Sequence, residues 1–570
     1  MKSFRSKCLI MKINLIFLVC FLVAYASLLH WQLSSVYHEY STSSIRCKSC
    51  ECHHKVEEEA ILLNDTKAVL LKKMVRHKKP SFVKEIMGRG MKIGMVNMED
   101  EDVSEWRVHG QIITVHFQKV SELLEWDDLF PGQVDEDSGE KDDGQISAEL
   151  PMPPFYSYSC MDIIVVKLPC NYPQEGWKRD VFRLQVHLVT ANMAVKKRKR
   201  GINGKMKVIF LSKCMPMMEI FRCKELKKRE GDWWYYEPNM AKLAQKISLP
   251  IGSFKLALSP REIEMNKAFD ISKNAESKEA YATVLHSSGK YVCGAITLAQ
   301  SLVRTGTRRD LILLLDDTIA EPKRVALRKA GWKLRFIKRI RNPRAEKDMY
   351  NKYNYSKFRL WQLTDYDKVV FVDADIIVLR NMDILFQFPQ LSATGNTGSI
   401  FNSGVMVIEP SNCTFNMFMQ HTKDIISYNG GDQGFLNEIF VWWHRLPRRI
   451  NFFKNFENSN EVSAKNQLFE ADPPQLYAIH YMGLKPWVCY RDYDCNWDVG
   501  HLRVYASDVA HRIWWKIHDA MDENLQKFCG LTRQRKTELL YSRKEAEELG
   551  LKDEHWKINV TDRRRFTLTS

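Results

Sequence analysis

Two carboxylates set one residue apart are the groups in this chain best placed to do chemistry. Asp373 and Asp375 interrupt the run Val-Val-Phe-Val-Asp-Ala-Asp-Ile-Ile-Val-Leu at residues 369–379. An apolar, β-branched run of this length is too short to span a membrane. It predicts a strand buried on both faces, as in a parallel sheet. Carboxylates inside a core cost several kcal/mol unless they are paired or bound to metal. The strand is therefore expected to end at the pair, at the mouth of a cleft, where ligands of open α/β sheets bind. Oxygen ligands select a hard divalent cation, Mg2+ or Mn2+. An Asp pair capping a turn is the plain alternative, because Asp-x-Asp alone is a short motif.

Three more segments carry polar groups where a simple element does not need them. Residues 400–408 read as an apolar strand broken by Asn402, Ser403 and Gly404. Amides and hydroxyls there need partners, and a hydroxyl-rich ligand supplies them. Gly-Gly-Asp-Gln-Gly at 430–434 opens a helix. Its glycines permit close backbone approach, and Asp432 and Gln433 project from the helix start into the cleft. His-Tyr-Met-Gly-Leu-Lys-Pro-Trp at 480–487 gathers His480, Gly483 and Lys485. The imidazole is a candidate third metal ligand, and the lysine a candidate neutraliser of phosphate.

These residues need a frame. Strand-like runs at 280–285, 311–315 and 333–337 alternate with helical stretches at 291–301 and 325–330. That alternation predicts an α/β fold with a doubly wound, mainly parallel sheet over 275–500. Upstream, 161–168 and 207–211 read as strands. Trp177, Val181, Leu184 and Leu188 recur at helical spacing between them, so 151–260 holds at least one βαβ unit in an accessory α/β region. The aromatic run at 232–236 fits either a sugar face or packing at a domain boundary, and packing is preferred. Residues 99–144 are acidic and mixed, and 134–144 read as a solvated loop. The tail from 501 to 570 reads as helical packing and surface elements.

With 570 residues, 45% hydrophobic and 27% charged, most of the chain should fold, into two or three domains. The formal net charge of +16 favours anionic partners. No RNA-binding signature, zinc-finger spacing or basic heptad helix accompanies it, so no nucleic acid is expected as a partner. Residues 13–29 are almost unbroken apolar sequence, preceded by Lys2, Arg5, Lys7 and Lys12. They are expected to form a retained signal anchor, with 1–12 cytosolic and everything beyond 29 lumenal. Residues 30–150 then serve as a stem and partly ordered region. Cys47, Cys50, Cys52, His53 and His54 fit either a zinc site or paired stalk cysteines in an oxidising lumen, and the second reading is preferred. Fourteen cysteines are too few for a disulfide-built scaffold but enough for several bridges. Asn64, Asn412 and Asn559 head glycosylation sequons.

Taken in order, the Asp-x-Asp strand, Asn-Ser-Gly, Gly-Gly-Asp-Gln-Gly and the His-to-Trp segment resemble the motifs of family 8 glycosyltransferases, the retaining GT-A enzymes that include glycogenin and galactinol synthase. The resemblance covers about residues 279–487. Residues 176–192 and 485–497 look more narrowly like the plant xylan α-glucuronosyltransferases, which are single-pass type II Golgi membrane proteins. The resemblance implies that Asp373, Asp375 and His480 bind Mn2+ across the diphosphate of UDP, with Ala374 between the two carboxylates also at the donor. It implies that Lys485 meets the phosphates, Gly483 allows the approach, and Val284, His286 and Tyr291 lie near the uridine. Lys357 matches a lysine on the donor, and Asn402, Ser403, Gly404, Asp432 and Gln433 would line the sugar. Asp432 and Gln433 are read as positioning the sugar, with nucleophilic attack as the other possibility.

Two departures stand out: Asn429 replaces the Asp of glycogenin, and one residue fewer separates Gly483 from Lys485. The expected function is transfer of glucuronate from UDP-α-glucuronate to xylan or a related wall polysaccharide at the Golgi membrane, where a complex with other transferases is a further possible partner. A glucosyltransferase priming starch and a non-catalytic Golgi scaffold are the competing hypotheses.

Overall fold

Three sheets organise the described residues. The computed structural model describes residues 79–88, 90–130, 150–198, 205–248, 277–285, 289–346, 349, 351–456 and 462–566. The expected membrane anchor, Cys47–Cys52, Asn64, the acidic loop at 134–144 and His286 lie outside the described residues. No helix among the described residues is long and apolar enough to cross a membrane.

The first sheet runs β2-β1-β3-β4-β6-β5. Its strands are β1 (Met91–Val96), β2 (Gly110–Val115), β3 (Ile163–Lys167), β4 (Lys207–Leu211), β5 (Leu226–Glu230) and β6 (Trp233–Tyr236). Strand β3, the helix Val181–Lys196 and parallel β4 form the βαβ unit read from the sequence. That reading stops short, however. Strands β1 and β2 come from the stretch 30–150 expected as a stem and partly ordered region, and they extend the parallel part of the sheet. They are short runs next to the acidic stretch 99–105, β1 before it and β2 after it, so local composition hides them. All four residues of β6 are buried, so the aromatic run is packing inside the sheet.

The second sheet positions the site. Its order is β14-β12-β13-β10-β7-β8-β9. The strands are β7 (Glu279–Leu285), β8 (Asp310–Leu315), β9 (Lys333–Phe336), β10 (Lys368–Val372), β12 (Ser392–Gly395), β13 (Phe401–Ile408) and β14 (His444–Leu446). Pairing is parallel from β10 through β7 and β8 to β9. It turns antiparallel where β13 meets β10 and β12. The sheet is thus mostly parallel, and the chain has the α/β architecture expected.

The run at 369–379 is not one strand. It breaks at Asp373–Asp375, and its second half, β11 (Ile376–Val378), enters a third sheet, β11-β16-β15, with β15 (Phe452–Phe453) and β16 (Ala478–His480). The cost of burying carboxylates inside a strand accounts for the break. One continuous apolar core joins the first and second sheets, from Val96 and Phe210 to Phe371 and Trp443.

Candidate active site

Register brings the predicted residues together. In the antiparallel β10–β13 pair Val372 faces Val405. Asn402-Ser403-Gly404 therefore lies beside the Asp-x-Asp turn, and the Asp373 amide donates to the Gly404 carbonyl at 2.8 Å. In the third sheet Ile376 faces His480. This puts the imidazole against the same turn, where the Tyr481 amide donates to the Asp375 carbonyl at 3.0 Å. Parallel pairing of β13 would have carried the Asn-Ser-Gly triplet to the other end of the sheet.

Asp373, Asp375 and His480 offer ligand atoms that all lie within 4.8 Å of one another. His480 Nε2 is 3.4 Å from Asp375 Oδ1. The amide network fixes the imidazole. Asn451 Nδ2 donates to Asn402 Oδ1 at 3.0 Å, which leaves Asn451 Oδ1 to accept from His480 Nδ1 at 3.2 Å. With its proton on Nδ1, the ring turns a bare Nε2 toward a carboxylate oxygen. That contact becomes favourable only with a proton or a cation between them. Two carboxylates and a correctly tautomerised imidazole fit a divalent metal.

Two lysines flank the cluster. Lys485 Nζ is 2.7 Å from Asp375 Oδ2. Buried Lys357 sits 2.7 Å from Asp432 Oδ2 and 3.4 Å from Asp373 Oδ1, and it donates to Ser403 Oγ at 3.3 Å. Its ammonium thus ties the metal-type pair to the start of the helix Asp432–Ile439. Burial would lower the Lys357 pKa, but Asp373 and Asp432 outweigh it and hold the ammonium above its ordinary value. Burial pushes the Asp373 carboxyl up to about 6, with Lys357 opposing and Asp375 adding to the rise. Burial also acts on Asp375, but the Lys485 ammonium holds it well below the usual carboxylate range.

Beyond Lys357 lies the sugar-type half of the cleft. Ser403 Oγ donates to Asp432 Oδ2 at 3.1 Å, and the Ser403 amide to Gln433 Oε1 at 3.1 Å. Gln433 Nε2 donates to the hydroxyl of half-exposed Tyr428 at 2.6 Å. Asn429 uses its Oδ1 to accept the amides of Gly431 and Gly434 at 3.0 and 3.1 Å, seating the helix start. Val284 is the next-to-last residue of β7, and the Tyr291 ring meets Trp487 edge-on at 5.7 Å. Ala374 is buried in the turn.

Sequence reasoning missed the supports of this site. Asn451 orients His480. Asn496 brackets the loop that carries Gly483 and Lys485, accepting from the Leu484 amide at 2.8 Å and donating to the Leu484 carbonyl at 3.0 Å. Gly483 has φ +71, and a Cβ there would meet Asn496 Oδ1 at 2.4 Å. Buried Lys454 and Asp494 form the ion pair beneath this loop, and Asp494 in turn accepts from Asn496 Nδ2 at 2.6 Å. The only signal for Asn496 was its place in the 485–497 segment, and Asn451 stands in no motif at all.

Residues 282–392, from β7 through the Asp373–Asp375 turn, match the family described as Glycosyl transferase family 8. The class is a UDP-sugar-dependent glycosyltransferase, and family 8 enzymes typically use a divalent metal. Residues 69–254, which hold the first sheet, match the GUX1-5 N-terminal domain. UDP-glucuronate:xylan alpha-glucuronosyltransferase 2 of Arabidopsis thaliana is 55% identical over 588 residues, covering 99% of this chain and 98% of its own. UDP-glucuronate:xylan alpha-glucuronosyltransferase 1 of the same plant is 46% identical and covers 84% of this chain and 73% of its own. The chain belongs to this xylan α-glucuronosyltransferase family. Glycogenin-2 of Homo sapiens is more distant, 30% identical over 42% of this chain and 50% of its own.

Proposed function

We propose that this chain transfers glucuronic acid from UDP-α-glucuronate to xylan or a related cell-wall polysaccharide, with retention at the anomeric carbon. The observation that carries the proposal is the 55% identity along 99% of the chain to an enzyme named for that reaction. Asp373, Asp375 and His480 would hold Mn2+, a choice favoured by their mixed oxygen and nitrogen donor set. When bound, the ion supplies Lewis-acid stabilisation of the leaving diphosphate. Lys485 adds positive charge on the same side, and electrostatic stabilisation of this kind is usually the largest catalytic contribution. Asp432, Gln433, Ser403 and Asn402 orient the donor sugar by hydrogen bonds, and Lys357 fixes Asp432 in place.

The working compartment is the Golgi lumen, with a single N-terminal anchor and the catalytic sheet lumenal. Disulfides Cys170–Cys214, Cys223–Cys413, Cys293–Cys529 and Cys489–Cys495 support an oxidising environment. A complex with other Golgi transferases belongs to the same proposal. The test is turnover by the purified full chain with Mn2+ and xylo-oligosaccharides, comparing UDP-glucuronate, UDP-glucose and UDP-galactose. Selective use of UDP-glucuronate, abolished in Asp375→Ala, is expected. Equal or better use of UDP-glucose would overturn the donor assignment in favour of a primer glucosyltransferase.

A further inference from the structure

The segment at 176–180 leads into the helix Val181–Lys196 of the first sheet, yet two of its side chains reach onto the helix that presents Asp432 and Gln433. Lys178 Nζ donates to the Glu438 carbonyl at 2.9 Å. Arg179 Nη2 lies 2.7 Å from Glu438 Oε1, and Nη1 lies 3.4 Å from Oε2, a two-pronged contact. The same Nη2 is 3.4 Å from the Asn437 carbonyl. These carbonyls end the helix Asp432–Ile439, where intrahelical partners run out and cations suit the dipole.

The rest of the helix is fastened as well. Asn437 bonds both the amide and the carbonyl of Phe401, at 2.9 and 3.0 Å, one residue before Asn402. Past the helix, the Trp442 amide donates to buried Glu219 of the first-sheet region at 3.0 Å. Trp126 and Phe130 pack against the Trp442 ring at 5.8 and 5.5 Å. A helix of eight residues is too short to hold its direction alone. It is about 12 Å long, so a tilt of about 5° about its far end moves its first residue by about 1 Å.

We propose that Lys178 and Arg179 are positioning residues. The N-terminal α/β region grips the far end of this helix and thereby aims Asp432 and Gln433 at the donor sugar. The inference rests on the proposed transfer reaction and gives the accessory region a part in it.

The test uses the full chain carrying Arg179→Ala, Lys178→Ala or Glu438→Gln. Turnover is measured with UDP-glucuronate and xylo-oligosaccharides, and UDP and UDP-glucuronate are titrated separately. A misplacement of about 1 Å lowers kcat roughly tenfold to a hundredfold. UDP affinity stays at the wild-type value, because the metal-type cluster and Lys485 lie on other elements, while the extra affinity of UDP-glucuronate over UDP shrinks. Arg179→Lys restores little, since one ammonium cannot make both prongs. Arg179→Ala costs less in a Glu438→Gln background than in the wild type, where both prongs are present. Wild-type kcat in folded Arg179→Ala overturns the inference, and so does a loss of UDP affinity that parallels the loss of kcat. A wild type that turns over no donor overturns the transfer reading instead, and the two titrations still report on the helix.

Discussion

Replacing Lys357 by Met keeps the side chain's length and removes its charge from the centre of the site. In the native structure that ammonium faces Asp432 at 2.7 Å, Asp373 at 3.4 Å and Ser403 Oγ at 3.3 Å. An ammonium has three donors, so these protein acceptors use its capacity. Lys357 acts as the tie between the two halves of the site. Without it two largely buried carboxylates lose their counter-charge, and breaking a buried pair in this way costs about 3–5 kcal/mol. Asp432 is also released from the position Lys357 gives it, which lowers kcat roughly a hundredfold. Urea unfolding and steady-state turnover of Lys357→Met measure the two effects. The double variant Lys357→Met/Asp432→Asn has one stranded carboxylate fewer, so it should recover part of the stability and none of the activity. Stability within about 1 kcal/mol of wild type in the single variant, or an equal loss in single and double variants, would refute the reasoning.

Gly404→Ala places a Cβ 2.7 Å from both Asn402 Oδ1 and His480 Cε1. It should cost about 1–3 kcal/mol in a thermal melt and weaken divalent-cation binding by displacing His480. Lys485→Met frees Asp375 of its 2.7 Å partner, so the cation alone should bind more tightly while UDP, measured in the presence of cation, binds more weakly. Burial holds the His511 imidazole down at about 4, below its ordinary 6.5, with Asp494 opposing. Between those values the unfolded chain binds the proton and the folded chain does not, so stability falls as pH drops from 6.5 to 4, by about 3 kcal/mol from this group. His511→Gln should flatten that limb in urea titrations at pH 4 and 7. Joint replacement of Cys223 and Cys413 by Ser removes a bridge between segments 190 residues apart and should lower stability by about 2–5 kcal/mol, read by thermal melting.

The Asp-x-Asp pair was legible because carboxylates are conspicuous in an apolar run, and Asp432 and Gln433 because glycines announce a tight entry to a helix. Most strands of the second sheet were legible from apolar runs bounded by turns. The change of sheet at Asp373–Asp375 was not, because it depends on β16, a three-residue strand a hundred positions later in the chain. Nor were β1 and β2: Met91–Val96 carries a lysine and a glycine, and Gly110–Val115 follows acidic sequence, so each is a strand chiefly by virtue of its neighbours. Single amides such as Asn451 and Asn496 have no periodicity to reveal them, and their role exists only in the assembled network. Lys357 could be matched to a motif position, but nothing in its flanking residues says that it spans from Asp373 to Asp432.

The charges of the site explain why the proposed reaction would need both its lysines and a cation. Asp373, Asp375 and Asp432 set three carboxylates against the ammoniums of Lys357 and Lys485, which leaves one formal negative charge in a chain that is otherwise strongly basic. Asp432 and Asp375 each have a lysine at 2.7 Å. Asp373 has its lysine at 3.4 Å and lies with its carboxyl pushed up to about 6 by burial. The surplus negative charge therefore belongs to Asp373, while the bare Nε2 that Asn451 enforces on His480 faces Asp375. Left so, the cleft would repel a diphosphate. A divalent cation at this seat reverses the formal charge to one positive, and with Asp375 engaged the Lys485 ammonium becomes available to a phosphate. The same carboxylates that would make the metal-free cleft hostile to a nucleotide would make nucleotide binding conditional on metal, and Lys357 ties that seat to Asp432 and Ser403, the residues proposed to face the sugar.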